Sequence, residues 1–381
     1  MNEKYGVSRR RFLVASGGGT LAALAGCVEP RAESTVVESE TTIDRENRAD
    51  GSTYTDVYES TVDSVTLVRA FGVGEPVGME DGDESEDGGQ RQGQGSGFLY
   101  DQSHVVTNEH VVRGAEEVDL QYTTGEWTSA TVAGTDIYSD LAVLRIDQRP
   151  DTATPLQFTE QHPRVGQEVL AIGNPLGLEG SMSTGVVSGV NRSTPGPTDF
   201  TIPNVVQTDA TADRGSSGGP IVNLEGNVVG VVNAGAGTGG SITFGISAPL
   251  SRRVVPALIE DGEYRHSWMG INLLSVDPIV ANANDIPEER GVLVVETASD
   301  GPADDILRGS DDTVDHRGGS IPVGGDVIRA MNGRPIPNEH ELSAFLALET
   351  TPGETIEIEI YRDGEPTTVD LTLGEREEPN I

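Results

Sequence analysis

Asp213-Arg214-Gly215-Ser216-Ser217-Gly218-Gly219-Pro220 sets a serine pair between glycines, and the apolar residues Ile221-Val222 follow at once. The pattern predicts a tight turn entering a strand. Glycines there permit positive φ and close approach of a ligand. Such a turn aims the backbone N–H groups of Gly215 and Ser217 at one point, which is the geometry of an oxyanion hole beside a nucleophile. Taken alone, the stretch reads equally well as a Gly/Ser surface loop.

A serine nucleophile needs a base. The chain has six histidines: His104, His110, His162, His266, His316 and His340. His110 sits in Val105-Val106-Thr107-Asn108-Glu109-His110-Val111-Val112, an apolar strand ending at a polar turn. That places an imidazole at a sheet edge. Asp140 opens Asp140-Leu141-Ala142-Val143-Leu144-Arg145-Ile146, a strand pattern with one carboxylate at its head. Singly, His110 also reads as a structural or surface histidine, and Asp140 as a turn residue. In the order His, Asp, Ser the three match the chain order of chymotrypsin-type triads.

Six blocks in register then resemble the HtrA (Deg) family of serine proteases. They are Gly95-Ser96-Gly97-Phe98-Leu99, Val106 to Val111, Ser139 to Leu144, Ala171-Ile172-Gly173-Asn174-Pro175-Leu176-Gly177, Thr184-Gly185-Val186-Val187-Ser188 and Gly215 to Pro220. Two positions depart from the family pattern: Ser216, where the family usually has Asn, and Arg214, often Pro. The resemblance implies an all-β fold, a chymotrypsin-like double β-barrel followed by a small α+β PDZ domain. It implies two six-stranded barrels, with His110 and Asp140 from the first and Ser217 from the second. Short β-branched runs between Gly, Asn and Pro turns, from Gly95 to about Val255, are the pattern of such barrels. Val228 to Asn233 is then the strand bordering the substrate. Val187, Ala210, Thr211 and Val232 are the S1 pocket candidates. Position 211 carries no acid, so a small aliphatic P1 residue is expected.

Ser251 to Gly262 reads as a closing helix and hinge, so the protease domain spans 53–262. A PDZ domain follows at 265–375. Trp268-Met269-Gly270-Ile271 resembles its carboxylate-binding loop, where backbone N–H groups hold a peptide C-terminus while the peptide adds a strand. Gly291 to Val295, Gly324 to Gly333 and the apolar-periodic Glu339 to Leu348 fit the same pattern. Asp311 to Ser320 reads as an inserted loop. A small β-rich domain without a ligand is the alternative. Arg192 falls where the family relays PDZ occupancy to the oxyanion turn, against the reading of an ordinary surface arginine. Asn191-Arg192-Ser193 is also a glycosylation sequon.

The N-terminal residues 1–27 read as a targeting segment. Ser8-Arg9-Arg10-Arg11-Phe12-Leu13 resembles a twin-arginine (Tat) signal, and Leu24-Ala25-Gly26-Cys27 a lipobox. Cys27 is the only cysteine, so no intrachain disulfide forms. A plain cleavage site with an incidental cysteine is the alternative. Residues 28–52, polar and without apolar period, read as an acidic tether. Tyr54 and Tyr58 lie where the family often makes its trimer contact, or they pack on their own domain. The acidic loop 75–94 reads as solvated, because its spacing fits no EF-hand.

These readings lead to an exported, lipid-anchored serine endopeptidase on the outer face of the cytoplasmic membrane. It would act on unfolded proteins and peptides, as a homotrimer, with no metal or organic cofactor. A chaperone on a silent protease fold and an exported PDZ adaptor are the alternatives. The 381 residues carry 62 acidic and 25 basic side chains, a net charge of −37, and Lys4 is the only lysine. Such a surface repels nucleic acid and anionic lipid heads. Its composition resembles that of salt-in halophiles. Raising KCl from 0.01 to 1 M shortens the Debye length from about 30 to about 3 Å and screens the self-repulsion. The melting temperature is therefore expected to rise steeply with KCl. A flat curve would remove the halophile reading.

Overall fold

The computed structural model describes residues 53–73, 92–174, 180–196, 201–213, 215–233, 242–316 and 319–377. Six strands close the first barrel: β1 (Val65–Phe71), β2 (Gln92–Leu99), β3 (His104–Thr107), β4 (Glu117–Tyr122), β5 (Trp127–Asp136) and β6 (Leu141–Ile146). Six more close the second: β7 (Glu168–Gly173), β8 (Ser181–Pro195), β9 (Thr201–Thr208), β10 (Pro220–Asn223), β11 (Val228–Asn233) and β12 (Thr243–Ser247). All the named pairings in both barrels are antiparallel.

The near-continuous apolar runs have a physical reason. Side chains alternate across a strand, and here both faces are covered. On β6, Ala142 and Leu144 fill the first barrel, while Leu141 and Val143 face the core shared by the two barrels. On β7, Val169 and Ala171 fill the second barrel, while Leu170 and Ile172 join the same shared core. Phe98 and Phe158 meet edge to face in it, with centroids 5.8 Å apart. Helix α3 (Ala248–Glu260) buries Leu250, Val254, Val255 and Leu258 there as well. Ser247 caps it, accepting the Leu250 N–H at 3.4 Å. The shared core fixes one barrel against the other, and the cleft between them with it.

Two local features differ from the sequence reading. The chain enters β1 through a helix that the sequence reading did not give. Helix α1 (Thr53–Thr61) leads into a 3₁₀ turn at Val62–Ser64. Tyr54 and Tyr58, one helical turn apart, pack on their own domain, with hydroxyls donating to Glu168 and, at 3.0 Å, to the Gly180 carbonyl. A short helix with two aromatics carries little strand or helix period, so the boundary was hidden.

The second difference lies in the C-terminal domain. A short pair, β13 (Ser267–Trp268) with β22 (Gly374–Glu375), closes its base. Its sheet runs β14 (Ile271–Ser275), β15 (Val292–Thr297), β18 (Val327–Met331), β20 (Thr355–Arg362) and β21 (Glu365–Thr372), with β19 (Arg334–Pro335) on β18. Helices α4 (Pro278–Ala283) and α5 (Glu339–Glu349) pack on it. The stretch read as an inserted loop is instead a hairpin, β16 (Ser310–His316) with β17 (Gly319–Gly324). Its polar residues satisfy each other's backbone across the ladder without needing a buried face.

Buried Asp326 anchors this domain. Arg362 reaches it through Nε to Oδ1 at 2.7 Å and Nη2 to Oδ2 at 2.6 Å, and the Arg308 N–H adds a third bond at 2.8 Å. Removing one partner of such a pair strands a buried charge. Arg362→Ala is expected to destabilise the C-terminal domain by about 3–5 kcal/mol. Urea unfolding followed on the isolated transition of that domain checks this, and a loss below about 1 kcal/mol would mean that the pair is solvated.

Candidate active site

His110 follows the end of β3. Asn108 leaves the strand with extended backbone and starts the short helix α2 (Glu109–Val112). Arg113 holds the helix by two bonds from Nε to the buried Glu109 carboxylate, at 2.9 and 3.1 Å. Asp140 stands just before β6 with φ 55°, a left-handed backbone that aspartate tolerates better than most residues. Its carboxylate is fully buried.

Five groups meet Asp140, the Glu109 N–H donating to its carbonyl at 3.2 Å. Its Oδ2 accepts from His110 Nδ1 at 2.7 Å and from Asn233 Nδ2 at 3.1 Å. Its Oδ1 accepts the His110 backbone N–H at 3.0 Å. Its carbonyl accepts from Asn108 Nδ2 at 2.8 Å. A Nδ1–H held by the carboxylate leaves the His110 Nε2 lone pair for a serine proton. Burial opposes a charged imidazole here. The Asp140 carboxylate more than offsets that, through its charge and its hydrogen bond, with Glu109 adding and Arg113 opposing. The His110 pKa therefore lies above the ordinary histidine value.

Ser217 comes from the second barrel, on the turn that enters β10. Ser216 N–H donates to the Asp213 carbonyl at 3.0 Å, and Gly215 has φ 94°. Glycine adopts this positive φ without the steric cost of a Cβ. Gly218 has φ 86°, and a Cβ there would collide with the Ser96 carbonyl and Thr107 Oγ1. Only glycine lets the nucleophile turn approach the first barrel this closely. Ser216, smaller than the Asn usual in the family, packs on Gly173.

The structure thus brings His110, Asp140 and Asn233 into direct contact, and sets Ser217 on a turn that the first barrel touches. A trypsin-like peptidase domain model matches residues 95–231, and a PDZ domain model residues 267–373. The chain belongs to the HtrA family of trypsin-like serine proteases. It is 34% identical over 286 residues to a probable periplasmic serine endoprotease DegP-like of Rhizobium meliloti, covering 74% of this chain and 53% of the relative. With the periplasmic pH-dependent serine endoprotease DegQ of Escherichia coli it shares 33% over 291 residues, covering 74% and 59%. The chain thus spans somewhat over half the length of these relatives. The solved HtrA-type protease AlgW with tripeptide superposes with a TM-score of 0.65 at 27% identity, covering 86% of this chain and 99% of that one.

Val187, Ala210 and Val232, expected at the S1 pocket, are fully buried in one apolar cluster of the second barrel, while Thr211 is exposed. In the PDZ domain, Gly270 has φ 73° and Met269 is buried in the core. Trp268 leans on Gly270 and Ile271 opens β14, an edge strand. Arg192 lies on strand β8, exposed and paired with Val205, and not in a loop. Its neighbours face helix α5: Asn191 donates to Glu341, and Ser193 Oγ lies 2.9 Å from His340 Nδ1. Asn191 also accepts from Asn204, so the sequon side chain is engaged. Cys27, Arg214 and residues 75–91 of the acidic loop lie outside the described residues.

Sequence reasoning missed Asn233 as a partner of Asp140, although it is the one polar residue closing an apolar strand. It also missed Asp136. That carboxylate accepts from the Tyr138 and Ser139 N–H groups at 3.2 Å and from Ser139 Oγ at 2.5 Å. His266 Nε2 of the C-terminal domain contacts both its oxygens at 2.9 Å. The turn that delivers Asp140 is therefore pinned from the PDZ side.

Neutral His110 is the form that accepts the serine proton. With its pKa raised, kcat/KM is expected to fall with decreasing pH along a limb above about 6.5. The protonated form stabilises the fold below the unfolded value of about 6.5, and this contribution is lost as pH rises through the folded value. Asp140→Asn removes the larger causes that raise the pKa and leaves Glu109 against burial, the largest cause lowering it, and Arg113. It should move the limb to lower pH and reduce kcat by roughly 10⁴-fold. A limb unmoved by that substitution would assign it to another group.

Proposed function

We propose that this protein is an exported serine endopeptidase that cleaves unfolded or misfolded proteins, with the PDZ domain capturing peptide C-termini. The observation that carries this reading is the Asp140 carboxylate held at once by His110 and by Asn233 of the other barrel. Ser217 Oγ attacks the scissile carbonyl. His110 takes the proton and returns it to the leaving amine, and Asp140 stabilises the imidazolium. The N–H groups of Gly215 and Ser217 hold the oxyanion, each worth roughly 3–4 kcal/mol in comparable sites. A small aliphatic P1 side chain remains the expectation because Thr211 stands where a trypsin-like pocket would hold an acid.

The PDZ role rests on the free edge of β14 beside α5. At its Ser267 end, α5 residues Ser343, Leu346 and Ala347 line a cavity of about 100 Å³ that Tyr138 of the protease domain roofs. A terminal carboxylate held by the Met269-Gly270-Ile271 backbone would lie at this end. Regulation through Arg192 is supported by its place between Asn191 and Ser193, both joined to α5. Export through a Tat signal, with Cys27 as lipid anchor in the outer face of the cytoplasmic membrane, rests on the leader sequence. The named periplasmic relatives agree with export. A homotrimer and a salt-rich compartment are the assembly and setting that the resemblance and the acidic composition imply.

Casein digestion by the purified protein in molar KCl tests the reading. Wild type should cleave and should be labelled by a fluorophosphonate. Ser217→Ala should lose cleavage by roughly 10⁶-fold and all labelling. A wild type that binds casein without cutting it would favour a chaperone, and cleavage retained in Ser217→Ala would overturn the triad.

A further inference from the structure

The nucleophile and both oxyanion donors belong to the second barrel, but the base belongs to the first. A misplacement of about 1 Å between such groups costs roughly 10²-fold in rate. The two barrels therefore need a register at the serine turn itself, beyond the shared core behind it. A fully buried side chain of the first barrel stands at that place: Ser96, on β2.

We propose that Ser96 is a positioning residue that locks the oxyanion turn to the first barrel. Its hydroxyl donates to the Gly215 carbonyl at 2.7 Å. Its backbone N–H donates to the Ser217 carbonyl at 2.7 Å. A hydroxyl has one proton to give. The Asn174 N–H, donating to Ser96 Oγ at 2.9 Å, occupies a lone pair and orients that proton toward Gly215. The Ser96 carbonyl in turn accepts from Thr107 Oγ1 at 2.7 Å, on the strand end that leads to His110.

These bonds fix peptide planes on both sides of the donor. The Gly215–Ser216 plane is held through its carbonyl by Ser96 and through its N–H by the Asp213 carbonyl at 3.0 Å. The Ser217–Gly218 plane is held through its carbonyl by Ser96 and through its N–H by the Val232 carbonyl at 2.9 Å. The plane between them carries the Ser217 N–H, and its own carbonyl accepts from Gly219 at 3.0 Å. Ser96 supplies its bonds from the barrel of the base. Loss of its hydroxyl frees the Gly215 plane, next to the Gly215 N–H, without touching substrate or the reacting atoms.

The role deepens the protease reading and rests on it. The test measures kcat and KM of the full chain on an amidated peptide substrate, and the Ki of a peptide boronate whose tetrahedral adduct places an oxygen in the hole. Ser96→Ala should lower kcat by about 10- to 100-fold, less than the roughly 10²–10³-fold of losing a donor outright. KM should stay within about threefold, because substrate binding precedes oxyanion formation. The boronate Ki should rise by the same factor as kcat falls. Ser96→Cys, similar in volume with a weak S–H donor, should fall between, and it carries the same readouts if Ser96→Ala does not fold. Boronate affinity unchanged while kcat falls, or kcat/KM within twofold of wild type, would overturn the role alone. A wild type that does not cleave would overturn the protease reading and this role with it.

Discussion

Asp140 is wholly inside the protein, and its negative charge must be met there. An isolated buried carboxylate is costly, so the chain surrounds it with three donors from two segments. His110 supplies two of them, one from its ring and one from its backbone. Asn233 supplies a third from the second barrel. The same bonds that make the charge tolerable select the imidazole tautomer and tie the barrels at the cleft. Stability and catalysis share one interaction here, so the residues around Asp140 have little freedom to change.

The C-terminal domain is joined to this centre rather than merely tethered. His266 binds Asp136, and the Asp136 carboxylate organises the Tyr138-Ser139 turn immediately before Asp140. Tyr138 itself is held over by Arg376, whose guanidinium stands 4.0 Å from the ring centroid. On the opposite side, Arg253 of α3 donates to the Leu348 and Thr350 carbonyls at the C-terminal end of α5. A cation there satisfies carbonyls that the helix cannot and meets the negative end of its dipole. The C-terminal domain thus touches both the turn before Asp140, through His266, and strand β8, through α5.

His110, Asp140 and Ser217 were legible in the sequence because each needs a local signature. A strand end, a turn carboxylate and a Gly-flanked serine are spaced as short motifs, and their chain order assigned the roles. An all-β barrel architecture was legible in the short β-branched runs between turn residues, and the double barrel in the resemblance to the HtrA family. The PDZ domain was legible through Gly324-Gly325-Asp326, whose aspartate proved to be the buried partner of Arg362. The early helix and the hairpin at 310–324 were not legible. The first is too short to show a period, and the second has no buried face to impose one.

What the sequence determined by itself was therefore the set of candidate catalytic groups and the order in which the chain presents them. Their identity is covalent, and the positive φ of Gly215 and Gly218 is a local backbone demand, whereas the close approach at Gly218 is tertiary. Tertiary structure alone decided which groups hold them in place. Ser96, Asn233, Asp136 and His266 lie 121 residues before to 49 residues after Ser217 along the chain, in stretches whose sequence does not name their partners. They become partners only when two closed barrels share one core and a second domain packs against their side, because a hydrogen bond depends on distance in space and not on separation along the chain.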